Sequence, residues 1–271
     1  MKILLFLFIC LFVYALIENI FILKIRREVF NSDKNALKIV HLSDLHKRKF
    51  GKNNSRLLEM VKSECPDVII FSGDLITRYC SDFTSAGNFL KVLTSIAPVY
   101  YSYGNHELDL PETLFREFNS ILNECGVRFV NNGTESIDFK GRKFNITSAS
   151  LKKTIYKKNN SYKNLDGYTV EELENAVGKS ETGGINLLIA HNPLFADVYS
   201  EWGADYTFSG HIHGGAVVIP FTRVGLLSPE RRFFPKYSKG VFEVGNMKLL
   251  VSGGLGKLRL FNPPEVAVYF I

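Results

Sequence analysis

Five of the six histidines in this 271-residue chain sit where an apolar, strand-like run gives out. Ile39-Val40-His41-Leu42-Ser43 leads into Asp44-Leu45-His46, and Val68-Ile69-Ile70-Phe71-Ser72 leads into Gly73-Asp74. Val99-Tyr100-Tyr101-Ser102-Tyr103 ends in Gly104-Asn105-His106-Glu107. Asn186 to Ala190 ends at His191, and Tyr206-Thr207-Phe208-Ser209 ends in Gly210-His211-Ile212-His213. Carboxylates, imidazoles and one amide delivered at the carboxyl ends of strands stand where open α/β sheets keep their chemistry. A mixed nitrogen and oxygen donor set suits divalent transition-metal ions (Mn, Fe or Zn) better than Ca²⁺, which takes all-oxygen cages. Asp44 and His46 can serve one ion only if the backbone leaves the strand after Asp44, because alternate residues of an extended strand stand too far apart. Taken singly, each residue also has a structural reading. Asp44 and Asp74 fit as caps, Asn105 as a left-handed turn residue, and His191, before Asn192-Pro193, as a buried imidazole.

The five blocks together, in this order over about 170 residues, resemble the calcineurin-like metallophosphoesterase superfamily. The resemblance extends to Phe50-Gly51 with Asn54, to Gly214-Gly215, and to Gly253-Gly254-Leu255-Gly256 with Arg259 and Pro264-Glu265. It is similar to the bacterial membrane-associated branch, which includes UDP-diacylglucosamine pyrophosphatase-like enzymes. The resemblance implies a four-layer α/β/β/α sandwich and two divalent ions. The first ion would be held by Asp44, His46 and His213, the second by Asn105, His191 and His211, with Asp74 bridging them. It further implies hydrolysis of a phosphate ester or phosphoanhydride by a hydroxide that the ions share. His106 is then the imidazole without a metal, facing the substrate as general acid or phosphate stabiliser and oriented by Asp74. Glu107 reads as a support for the ligands. Gly73, Gly104 and Gly210 read as permitting tight backbone turns before them. Catalytically silent members of such families lose ligands or the acid, and all of these positions are intact here.

The elements that must position these residues alternate strand and helix. Leu57, Leu58 and Val61 recur at helical spacing between Asn54 and Glu64, and Leu114, Phe118, Ile121 and Leu122 do so between Thr113 and Cys125. Thr169 with Glu172 has the capping-box pattern before Leu173, Ala176 and Val177. Ile137 to Ser148, carrying Gly141-Arg142, reads as a hairpin, and Lys239 to Ile271 as short strands turning at Gly245-Asn246 and Gly253-Gly254. With 46% hydrophobic and 22% charged residues the composition is globular and excludes disorder of the whole chain.

Two units are expected: residues 1–30 as a membrane anchor with a basic flank, and residues 31–271 as the phosphoesterase domain. Ile3 to Leu23 is apolar except for Glu18 and Asn19. As a helix it would be roughly 31 Å long, the thickness of a hydrocarbon core. An uncleaved transmembrane helix is preferred over a signal peptide, since no small-x-small site follows, and over a helix buried in the domain. Glu18 counts against a clean span. Lys24, Arg26 and Arg27 follow the segment while Lys2 alone precedes it, which places a single-pass protein with its catalytic domain on the cytoplasmic face. Cys65, Cys80 and Cys125 have no repeated spacing and read as reduced packing residues.

The net charge of +6 is spread rather than clustered, so nucleic acid is not an expected partner. The densest basic group, Lys152-Lys153 and Lys157-Lys158 with Tyr156 and Tyr162, reads as a solvated loop or as one that meets anionic headgroups. After the last histidine block, Phe221, Leu226, Leu227, Phe233 and Phe234 alternate with Arg223, Arg231, Arg232 and Lys236. Apolar side chains among cations suit a membrane lipid or lipid-linked phosphate. A soluble nucleotide or cyclic-nucleotide phosphodiester is the alternative substrate.

Overall fold

The computed structural model describes residues 1–129, 132–156, 167–220, 222, 224–228, 233–257 and 259–271. Two six-stranded sheets form its centre. The first sheet contains β1 (Lys24–Val29), β2 (Lys38–Leu42), β3 (Val68–Phe71), β4 (Val99–Tyr101) and β5 (Arg128–Phe129). The second contains β6 (Gly133–Phe139), β7 (Arg142–Ser148), β8 (Ile185–Ile189) and β9 (Tyr206–Ser209). A small ribbon, β10 (Val217–Val218) with β11 (Gly225–Leu227), follows. The hairpin β12 (Gly240–Val244) and β13 (Met247–Val251) then completes the second sheet, and β14 (Glu265–Phe270) inserts between β1 and β2 in the first. Strands β2 to β5 run parallel, as do β7, β8, β9 and β13.

Strand alternation explains the layering. In β2, Val40 and Leu42 face one way into a cluster with Leu57, Val61, Leu90 and Phe118 of the helices α2 (Ser55–Ser63), α3 (Thr84–Ile96) and α5 (Glu112–Glu124). Ile39 faces the other way and packs with Ile70, Tyr100, Ile146, Ile189 and Phe208, so this cluster lies between the two sheets. The outer face of the second sheet, with Leu188 and Leu249, packs against Leu173, Tyr199 and Trp202 of α7 (Val170–Val177) and α8 (Ala196–Trp202). Helix, sheet, sheet and helix are therefore stacked, and one period-2 pattern feeds two cores. Thr169 caps α7, accepting from the Glu172 amide while Glu172 accepts from the Thr169 amide. The β6–β7 hairpin turns at Lys140 and Gly141, both at positive φ. The short α4 (Asn105–Leu108) and α6 (Lys153–Tyr156) complete the helices of the main body.

The amino-terminal segment differs from expectation. Helix α1 covers Lys2–Phe21, yet among the described residues no helix is long and apolar enough to cross a membrane. The spanning reading of Ile3 to Leu23 is corrected by where its end is spent. Ala15 and Glu18 are buried, Glu18 pairs with Lys24 at 3.0 Å, and Leu23 belongs to the core under the first sheet. The last turn leaves backbone carbonyls without helical donors. Arg48 donates to Asn19 O and Arg56 Nη2 to Phe21 O at 3.0 Å. The helix end is thus tied to the domain by guanidinium groups. Lys24 to Val29, read as a basic flank, instead forms β1 and pairs in parallel with β14. Arg26 is held there by Glu265 and Tyr269. The four cysteines are free.

One buried group makes the sheet interface sensitive to acid. His41, fully buried between the sheets, has Nε2 2.7 Å from Ser72 Oγ and its ring edge-on to Phe208. Burial first, and then the Arg26 charge, push its pKa down to about 3. A histidine whose folded pKa lies below its unfolded value near 6.5 stabilises the fold above that value and loses the contribution as pH falls toward about 3. Between these limits it adds one proton's slope, about 1.4 kcal/mol per pH unit, to the stability profile. His41→Leu is expected to flatten that profile in denaturant melts between pH 6.5 and the acid limit, whatever its effect at neutral pH.

Candidate metal centre

The carboxyl ends of β2, β3, β4, β8 and β9 point to one edge of the stacked sheets, and the five blocks meet there. The backbone leaves β2, β3 and β9 through strained conformations. Asp44, His46, Asp74, His211 and His213 all have φ between 53° and 67°, the left-handed region that non-glycine residues seldom occupy. Backbone bonds between neighbouring strand ends hold these turns: Asp44 N donates to Gly73 O at 3.0 Å and His46 N to Asp74 O at 3.1 Å. The turn after Asp44 brings the side chains of Asp44 and His46 to one place, as two donors for one ion require. Of the three preceding glycines, Gly73 has φ of 95°, whereas Gly104 at −91° and Gly210 need no special φ. They need space. An ideal Cβ on Gly210 would lie 1.8 Å from Ser43 Oγ and 2.4 Å from Asp44 Oδ2, and one on Gly104 would lie 2.1 Å from Asp74 Oδ1. The reading of these two as turn residues is replaced by close packing on the carboxylates.

Asp74 occupies the middle. Its Oδ1 accepts from the His106 amide at 2.9 Å, while Oδ2 is buried and has no hydrogen-bond partner. Around Oδ2 stand three Nε2 atoms, of His191 at 3.3 Å, His46 at 3.8 Å and His106 at 3.9 Å. Asp44 Oδ1 lies 3.4 Å from His213 Nε2 and 3.9 Å from His191 Nε2. Asn105 Oδ1 and His211 Nδ1 are 2.9 Å apart, and the rings of His191 and His211 meet edge-on at 5.1 Å. Asp44, His46 and His213 form one group of mutually close donors, Asp44, Asp74 and His191 a second, and His46, Asp74 and His106 a third. Bonds of about 2.0–2.2 Å to a shared cation put ligand atoms roughly 3.0–3.5 Å apart. The observed spacings fall close to that, and a cation would satisfy the orphaned Asp74 oxygen.

Electrostatics follows from packing carboxylates among imidazoles out of water. Burial alone would raise the Asp74 pKa, but His191, His46 and His106 outweigh it and hold the carboxyl well below its ordinary value. Asp44 is lowered the same way, burial being outweighed by His213 and His191. Conversely burial opposes protonation of His191, and the two carboxylates overcome it, raising its pKa to about 9. His213 is pushed down to about 3 by burial, with Arg259 adding to the effect. Burial likewise pushes His106 down to about 4.

His106 is oriented by a residue that the sequence did not single out. Its Nδ1 accepts from the Arg78 backbone N–H at 3.1 Å, so in the neutral ring Nε2 carries the proton and faces Asp74 Oδ2. Asp74 meets this residue twice, Oδ1 accepting from its backbone amide at 2.9 Å and Oδ2 standing 3.9 Å from ring Nε2. Arg78 is itself held by Asp109. His213 Nδ1 is met by Arg259 Nη2 at 3.2 Å, long for a charge-assisted bond. Glu107 is fully buried and accepts from three backbone amides, Asp74 at 2.9 Å, Ile76 at 3.1 Å and Gly104 at 2.9 Å. It ties the ends of β3 and β4 together. Burial and the nearby Asp74 charge raise its pKa to about 7 against those three donors. Among the lipid-facing residues read from sequence, Phe221, Arg223, Arg231 and Arg232 lie outside the described residues, as do Lys157, Lys158 and Tyr162. Phe233 and Phe234 are exposed.

Strand ends that converge as imidazoles around buried carboxylates define a metal-dependent hydrolase of phosphate esters. The calcineurin-like phosphoesterase model matches residues 37–215, and the chain belongs to that family. The chain is 28% identical over 245 residues to the uncharacterized metallophosphoesterase YkoQ of Bacillus subtilis, covering 88% of this chain and 84% of that one. It is 24% identical over 285 aligned residues to the UDP-2,3-diacylglucosamine pyrophosphatase LpxG of Chlamydia muridarum, covering 86% and 83%. Among solved structures, the sulfate thiohydrolase SoxB of Thermus thermophilus shares the fold with a TM-score of 0.55 at 12% identity, over 89% of this chain and 57% of that one.

Glu107→Gln places an amide N–H where a backbone N–H now donates. It is expected to cost about 1–3 kcal/mol, the penalty of a buried unmet donor, and to weaken metal affinity by roughly 10- to 100-fold. Thermal melting and metal titration of the purified variant check both, and unchanged values would show that Glu107 does not brace the ligands.

Proposed function

We propose that the chain is a binuclear metal-dependent phosphoesterase or pyrophosphatase whose phosphate ester or anhydride is carried by a lipid. The observation that carries the metal reading is the buried Asp74 Oδ2, without a hydrogen bond and ringed by three imidazole nitrogens. Asp44, His46 and His213 would hold one ion and Asn105, His191 and His211 the other, with Asp74 available to both. Bound ions would polarise the phosphoryl oxygens and lower the pKa of water. His106 supplies what the ions do not, a proton on Nε2 aimed into the site and kept in place by the Arg78 amide. As a neutral imidazole it donates a hydrogen bond, keeping its proton, to the phosphoryl or leaving-group oxygen.

Support for a lipid-borne substrate comes from two directions. A relative of 24% identity is named for a diacylated nucleotide sugar. The exposed side chains of α1, among them Ile3, Phe6, Ile9, Val13 and Ile17, favour a lipid surface as the place where the enzyme works.

His106→Ala is expected to keep two metals per chain while turnover of a phosphodiester falls roughly 10²- to 10⁴-fold. Loss of metal in this variant, read by elemental analysis, would make His106 a ligand and overturn the roles. In mixed micelles with Mn²⁺, an acylated phosphate or pyrophosphate is expected to be hydrolysed with higher kcat/KM than its deacylated headgroup. Equal rates on both would transfer the substrate to the soluble nucleotides and leave the phosphoesterase standing.

A further inference from the structure

The end of α1 and the metal centre share a wall. A cleft of about 960 Å³ runs between them, at the upper end of the ~300–1,000 Å³ that small-molecule sites occupy. On one side stand Phe12, Leu16 and Ile20 of α1, at the four-residue spacing of one helix face, and Leu260 and Val217 also line the cleft. Its charged lining is entirely cationic: Lys47, Arg48, Lys49, Lys257 and Arg259. Arg259 joins the cleft to the chemistry, because its Nη2 lies 3.2 Å from His213 Nδ1. It is buried, its Nη1 bonds the carbonyls of Gly253 and Gly254, and its Nε has no partner. Lys47 follows the ligand His46 directly. Arg48 braces the cleft, bonding Gly256 O at 2.8 Å on one side and Asn19 O of α1 on the other.

We infer that this cleft takes the acyl chain of a single-chain phospholipid or lipid-linked phosphate, with the phosphate at the Arg259 end beside the metal centre. This rests on the phosphoesterase reading for the position of the headgroup. Charge complementarity selects the ligand, since five cations and no carboxylate line the cleft. An extended peptide is a poor occupant, because the apolar α1 wall offers its backbone amides no partners. Helix α1 is on this account a wall of the substrate site. Its contribution is made within the domain and does not need a span.

The test uses the full chain and 1-acyl-glycerol 3-phosphates of graded chain length, kept below their micellar concentration. Binding is measured by calorimetry with chelator present, so that nothing is turned over. Wild type is expected to bind tighter with each added methylene, by up to about 4-fold. Leu16→Asp and Ile20→Asp, at half-exposed positions whose change leaves the core filled, should weaken the long chains at least tenfold and the shortest hardly at all. Phe6→Asp, on α1 but outside the cleft, should change neither. Affinity that does not depend on chain length overturns the inference, as does an equal loss in Phe6→Asp, which would make α1 a surface anchor. A dimer in light scattering that Leu16→Asp splits would make a second copy the occupant and overturn it too. Chain-dependent binding without hydrolysis of any phosphate ester by the Mn²⁺-loaded chain would leave the cleft standing and remove the phosphoesterase reading.

Discussion

Two carboxylates buried among imidazoles are the constraint on which the rest of this molecule depends. Asp44 and Asp74 are both out of water, and a buried ionised carboxylate survives only where cations, donors or a metal compensate it. The protein meets part of that demand itself. The His106 amide serves one oxygen of Asp74, the His211 amide and Ser43 Oγ serve Asp44, and His191 is held toward its charged form between them. What it leaves unmet is one oxygen of Asp74, and that is the atom a cation would take.

The scaffold can be understood as the means of imposing this arrangement. Parallel strands of two separate sheets end at the same edge, so ligands far apart in sequence arrive together without a long loop. The cost appears in the backbone, where five of the candidate ligand residues lie in the left-handed region, a strain of the kind that surrounding structure must over-determine. Glu107 provides much of that over-determination by joining three amides from two strand ends. Glycine at positions 104 and 210 provides the rest, by letting backbone approach carboxylate to a distance that any side chain would forbid.

The amino-terminal helix shows the same economy of polar groups. Its final carbonyls are met by Arg48 and Arg56, and its one acid is met by Lys24. Arg48 also reaches the loop at Gly256, next to His46. A helix whose hydropathy alone points to lipid is thereby coupled to the metal edge of the domain, and burial pushes the Arg48 guanidinium down to about 10 because it is enclosed between the two.

By itself the sequence determined a good deal. The strand-end blocks identified the family, and local periodicity located α2, α5, α7 and the hairpin at Gly141, because capping, amphipathic spacing and turn residues act over a few positions. The same five endings named the imidazoles and carboxylates that the fold brings to one edge. Other features were decided by tertiary structure alone. Helix α3, Thr84 to Ile96, carries Gly87 and Ser95 within it and is stabilised by what it packs on. Arg78 orients His106 through a backbone amide that no side-chain pattern encodes. Gly104 and Gly210 are required by atoms 30 and 166 residues away, Asp74 and Asp44, rather than by their own φ. Hydropathy gave α1 the length of a span, but pairing of Glu18, burial of Leu23 and the arginines at its end are contacts over distance, and only the folded chain could decide them.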